Sequence, residues 1–126
     1  MNALLYIGSA IIILWGIAHL VPIRGVVKGF GAISDDNRRI ITMEWLAEGL
    51  TLIFIGTLVM IVATEAGAGD PAARWVVVAS AAMLLVMATL TQITGARTSI
   101  MAIKICPWVK TLVAILFFVY ILGSSG

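Results

Sequence analysis

Four runs of apolar residues, each about long enough to cross a bilayer, constrain this chain more than any other feature in it. A helix needs about 20 largely apolar residues to span a hydrocarbon core about 30 Å thick, because each residue adds about 1.5 Å. The first run covers residues 3–21 and the second residues 40–63, on a helix that begins near Asp35. The third covers residues 71–94; the fourth covers about residues 98–122, kinked at Pro107, with a start that falls between Thr98 and Pro107. None alternates apolar and polar residues with period two, and each is too long for a barrel strand. Inside lipid every backbone N–H and C=O must be paired within its own segment, which leaves helices. Hydrophobic residues make up 62% of the 126 residues and charged ones 11%, far from the usage of a water-soluble domain. The predicted fold is therefore all-α: one transmembrane domain, a polytopic integral membrane four-helix bundle.

Charge placement sets the predicted orientation. Arg24, Lys28, Arg38 and Arg39 lie between the first two runs, and Arg97, Lys104 and Lys110 lie between the third run and the body of the fourth. Only Arg74 flanks the opposite side, beside Glu65 and Asp70. Basic residues accumulate on cytoplasmic loops, so residues 22–34 and the third loop are expected in the cytoplasm and both termini outside. Met1-Asn2 carries no basic n-region and no small-residue cleavage site follows, so the first run reads as retained. These features together predict a multi-pass protein of the cell (inner) membrane, in contact with the lipid bilayer. Nucleic acid is not an expected partner, since the basic residues flank membrane spans and lack an interleaved aromatic surface.

The loops carry start and stop signals that agree with the spans. Ser34 is placed to cap a helix whose first turn holds Asp35 and Asp36, where the positive end of the helix dipole favours acids. Asp70-Pro71 is a cap followed by proline at the first helical position, and Gly95 is a natural stop. The first loop, PIRGVVKGFGAISDD, interleaves Val26, Val27, Phe30 and Ile33 with Arg24 and Lys28. Its basic residues, with Arg38 and Arg39, are candidates for lipid headgroup contact. Residues 64–70 read as a short external turn, and the terminal GSSG as an end outside the fold.

The polar residues of the spans gather in the cytoplasmic half. Glu44 and Glu48 are one helical turn apart and share a face. Counting from a helix centre near Thr51, Glu48 lies about 5 to 6 Å toward the cytoplasm and Glu44 about a turn beyond, at the depth of His19 and Gln92. An ionised carboxylate at that depth costs about 3 kcal/mol, so Glu48 is expected to face inward and to need a proton or a cation. Lys110 is the cation within reach. His19, Glu44, Glu48, Gln92 and Lys110 thus form the candidate ligand or ion cluster. One reading makes it polar glue between helices; the other makes it a water-filled vestibule for a proton, a metal or a headgroup. Imidazole and carboxylate suit divalent ions, but with one histidine and no thiol expected nearby, no metal site, no catalytic residue and no cofactor is assigned. The single cysteine, Cys106, excludes an intrachain disulfide and a CxxC site; beside Pro107 it reads as part of a kink. Trp15, Trp45, Trp75 and Trp108 read as interfacial anchors. Gly8, Gly16, Gly49 and Gly56 mark faces for close helix approach.

Two motifs carry a family resemblance. GIAHL, Gly16 to Leu20, is similar to the end of the first helix in the DoxX-like group of small four-helix membrane proteins, with His19 where that family tends to have lysine. LAEGLTLIFIG, Leu46 to Gly56, resembles the glutamate, glycine and leucine pattern of its second helix. The second half of the chain matches in helix count alone. The resemblance implies an accessory subunit of a quinone-linked oxidoreductase or related membrane complex, with Glu48 at the matching functional position.

Three functions compete on this sequence. The first is a non-catalytic accessory or assembly subunit, bound to a membrane-protein partner or to further copies of itself, in which Glu48→Gln leaves the fold largely intact. The second is a small transporter or channel using Glu48 and His19. The third is a membrane enzyme acting on a lipid or quinone at the inner interface, with His19 or Glu44 as general base.

Overall fold

A computed structural model describes residues 2–66 and 70–124. Residues 67–69 of the turn expected outside, and Ser125 and Gly126 of the terminal GSSG, lie outside the described residues. The described residues form helices and no strands: α1 (Ala3–Leu20), α2 (Ile23–Gly29), α3 (Asp35–Glu65), α4 (Pro71–Ile93) and α5 (Met101–Gly123), with a short 3₁₀ turn at Gly95–Arg97. All but α2 are long and apolar enough to cross a membrane.

The helix boundaries follow local chemistry. Ser34 Oγ accepts from the Asn37 amide at 3.2 Å and opens α3. Asp70 accepts from the Ala72 and Ala73 amides at 2.8 and 3.3 Å, with Pro71 at the first helical position. Asp70→Ala, which returns two amides to solvent, is expected to cost about 1 kcal/mol; an unshifted thermal midpoint in detergent would contradict it. The fourth span starts at Met101, so Pro107 falls inside a continuous helix. Ser124, read from sequence as lying outside the fold, accepts from Arg74 Nη1 at 2.9 Å at the end of α5.

The first loop is more ordered than a plain connection. Residues Ile23–Gly29 close into α2, which packs on α3 with Ile23, Val26 and Val27 half-buried and Arg24 and Lys28 exposed. Gly31 ends it in the left-handed region, φ 70°, which glycine reaches without a Cβ penalty.

The long helices that pack most closely run antiparallel. Tyr6 Oη donates to the Ala63 carbonyl at 3.1 Å, and Gly16 faces Gly49, so α1 runs down α3. Gly8 meets Phe117 and Trp15 meets Cys106, so α1 also runs down α5. Thr91 meets Lys110 and Arg74 meets Ser124, which sets α4 against α5. Contact between α3 and α4 is slight, and a cleft of about 370 Å³ opens there.

Each long helix turns a stripe with alternating three- and four-residue spacing inward. On α1 it is Leu5, Ser9, Ile12 and Gly16; on α4, Val77, Ala81, Leu84 and Ala88; on α5, Cys106, Lys110, Val113, Phe117 and Tyr120. That repeat keeps one seam on a partner helix. Only 28% to 39% of the most apolar window of each span is buried, while Leu14, Phe54, Trp108 and Leu122 stand exposed. Large apolar side chains thus cover the outward faces as well as the interior, which is consistent with helices that cross a membrane.

Candidate functional site

The stripes converge at one end of the packed helices, the end carrying the connections from α1 to α3 and from α4 to α5. His19 continues the α1 stripe from Gly16, Thr91 continues that of α4 from Ala88, and Glu48 lies one turn before Leu52 on α3. Cys106 and Lys110 begin the stripe of α5. All four long helices therefore contribute to one polar network.

Its centre is Lys110, whose side chain has no exposed surface. The ammonium donates to Glu48 Oε1 and, at 2.8 Å, to Thr91 Oγ1. Thr91 in turn donates to the Met87 carbonyl at 2.9 Å, which leaves its oxygen lone pairs free to accept from lysine. Glu48 is 31% exposed on its side chain and forms part of the cleft between α3 and α4 with Glu44, Trp45, Thr91 and Lys110. One ion pair thus joins α3 to α5, and a hydrogen bond extends it to α4.

His19 approaches from α1. Its Nδ1 lies 3.0 Å from the Trp15 carbonyl, and since a carbonyl only accepts, Nδ1 carries the proton. Nε2 then faces Glu48 Oε1 at 3.8 Å and Cys106 Sγ at 3.7 Å. The ring is held between Trp15, edge-on with centroids 5.9 Å apart, and Trp45, 5.6 Å away. Trp45 Nε1 also donates to the His19 carbonyl. Cys106 Sγ accepts from Trp15 Nε1 at 3.3 Å and lies 3.8 Å from Glu48 Oε1.

The predicted cluster is therefore assembled in part. His19, Glu48 and Lys110 meet; Glu44 and Gln92 do not join them. Glu44 is exposed at the cleft mouth, because it lies about 40° further round α3 than Glu48, off the inward stripe. Gln92 is exposed on another face, beside Pro107, Trp108 and Thr111, since it sits about 100° round α4 from Thr91. His19 was expected at the depth of Glu44. It lies beside Glu48 because the contact of Gly16 with Gly49 sets the register between α1 and α3.

Other expectations change as well. Cys106 belongs to the cluster, so a thiol does stand beside the histidine; the inward spacing of Cys106, Lys110 and Val113 was the signal in the sequence. Trp15 and Trp45 bond within the site, whereas Trp75 and Trp108 are 72% and 70% exposed. Lys110 is interior, so six flanking basic residues, not seven, oppose Arg74. Glu48 is the counter-ion of a fully buried ammonium, so Glu48→Gln is now expected to strain the fold, where the sequence by itself suggested tolerance.

Among the basic candidates, Arg24, Lys28 and Arg38 surround a cleft of about 580 Å³ with Ile23 and Val27 between α2 and α3. Arg39 lies on the neighbouring apolar groove along α3 with Met43 and Leu46. Compared with family models, curated proteins and solved structures, the chain matches none.

Proposed function

We propose that the protein is a multi-pass protein of the cell membrane, a four-helix bundle with both termini outside, that serves as a non-catalytic accessory or assembly subunit of a membrane complex. The observation that carries this reading is the burial of Lys110: the one fully buried ammonium among the described residues is consumed by Glu48 and Thr91, on two other helices. A group so engaged ties helices together and is not free to act on a substrate. Its surroundings agree. Cys106 is covered, while broad apolar faces bearing Leu14, Phe54 and Leu122 are left for lipid or a partner helix. On the DoxX-like resemblance, the complex is a quinone-linked oxidoreductase or a related assembly.

The cleft of Arg24, Lys28 and Arg38, with apolar side chains beneath cationic heads, suits a lipid phosphate at the cytoplasmic surface. That orientation is testable directly. Ala32→Cys, in the connection between α2 and α3, is expected to resist a membrane-impermeant thiol reagent in intact cells, and Ala72→Cys to be labelled. The reverse pattern would invert the topology. For the function itself, the tagged protein extracted in mild detergent is expected to migrate in a native gel with a larger complex. Migration as a single small species, with no co-isolating protein, would remove the accessory role.

A second reading rests on the cleft between α3 and α4, which reaches Glu48 and Lys110 from the side. It favours a small transporter or channel. Proteoliposome flux that responds to His19→Ala would support it, and unaltered flux would exclude it.

A further inference from the structure

The geometry points to a binding site for a thiophilic divalent cation, of the zinc and cobalt class, formed by His19 Nε2, Glu48 Oε1 and Cys106 Sγ. The three atoms lie 3.7, 3.8 and 3.8 Å apart, a nearly equilateral triangle. A point equidistant from such corners is about 2.2 Å from each, which is the bond length that zinc makes to imidazole nitrogen, carboxylate oxygen and thiolate sulfur, about 2.0 to 2.3 Å. The ligands come from α1, α3 and α5, so the fold brings them together from distant points in the sequence.

The surroundings are built for ligation. Metal-bound histidines donate their second ring N–H to a carbonyl or carboxylate, which fixes the tautomer and aims the lone pair. The bond from His19 Nδ1 to the Trp15 carbonyl does this, and Nε2 presents its lone pair toward the other two ligand atoms. Trp15 Nε1 donates to Cys106 Sγ, which stabilises charge on the sulfur. Thiolate and imidazole select a borderline or soft ion, and a single carboxylate oxygen is too little for magnesium or calcium. Glu48 borders the cleft between α3 and α4, which gives the ion a path inward.

Lys110 is the ion's competitor. Its ammonium occupies Glu48 Oε1 and is tethered one turn from Cys106. Thr91 gives it a second acceptor when the carboxylate is engaged by a metal.

Cobalt(II) reports sulfur ligation directly through thiolate-to-metal charge-transfer absorption. The full chain, purified in detergent and stripped with chelator, is expected to take one Co²⁺ with that absorption and to release it on addition of Zn²⁺ but not of Mg²⁺. Cys106→Ser should abolish the band. His19→Gln should weaken Co²⁺ binding at least tenfold, and Trp15→Phe, which removes a bond behind the sulfur, by about tenfold. Lys110→Met should tighten binding, the opposite of what loss of a purely structural contact produces. Three results overturn the site: no charge-transfer band in the folded protein, a band that persists in Cys106→Ser, or Co²⁺ affinity unchanged in both His19→Gln and Lys110→Met.

Discussion

Glu48→Gln is expected to lower stability by about 3 kcal/mol, because removing one partner of a buried ion pair strands the other; measured losses run at about 3 to 5 kcal/mol. The lower end applies because the Glu48 side chain is 31% exposed and water or headgroups in the cleft relieve part of the imbalance. Glutamine retains the shape and a hydrogen-bonding oxygen, so the loss reports charge, not packing. Lys110→Met should cost less. It fills the same apolar space, and the carboxylate it leaves behind can turn toward the cleft. In the double variant neither charge remains, and stability should return to near the parent value, as replacing buried pairs by apolar groups often does. Thermal midpoints in one detergent test the cycle. Strictly additive losses would show that Glu48 and Lys110 do not act as a pair, and the tie between α3 and α5 would then have to be abandoned.

Gly16→Val should be comparably damaging, by a different mechanism. A Cβ at Gly16 would lie 2.7 Å from the Gly49 carbonyl oxygen and 3.0 Å from the Ile53 amide nitrogen. Both obstacles are main chain, so α1 and α3 must separate along their length, and overpacking of this kind costs about 1 to 3 kcal/mol or more. Valine adds two methyl groups to that clash. The smaller substitution gives a graded test, because alanine gains about 1 kcal/mol over glycine in helix propensity. At Gly16 the clash should outweigh this gain. At Gly8 the obstacle is the buried Phe117 ring, a side chain whose shift does not require the main chains to part, so Gly8→Ala should cost less than Gly16→Ala. At Gly25, where nothing lies within 4 Å, alanine should stabilise α2. Equal midpoints for Gly16→Ala and Gly25→Ala would contradict the close approach of α1 to α3. Because the same contact sets the register that brings His19 to Glu48, Gly16→Val should also abolish Co²⁺ binding.

The two predictions separate what could be read along the chain from what could not. Four apolar helices long enough to cross a membrane, the Ser34 and Asp70 caps, and the glycine positions of α1 and α3 follow from local composition and spacing. A pairing of Lys110 with an acid of α3, Glu44 or Glu48, was legible for a related reason: an ionised group in an apolar span needs a counter-charge, and few were on offer. Which face of each helix points inward was harder to read. In water an apolar stripe against a polar one marks the interior. In these spans both sides are apolar, and that contrast is nearly absent.

Glu44 and Gln92 show the consequence. Each has the right polarity and depth, yet lies 40° to 100° round its helix from the inward seam by the usual helical count, about 100° per residue. Cys106 and Thr91 show the converse, since weakly polar side chains gave little reason to place them at the centre. Sequence alone determined that these helices are long and apolar enough to cross a bilayer and that Lys110 needs an acid of α3, Glu44 or Glu48, because chain length and charge are local quantities. Tertiary structure alone decided that His19, Glu48 and Cys106 come within 4 Å of one another, because that depends on the register of α1 against α3 and α5, which close glycine contact sets across residues far apart in the chain.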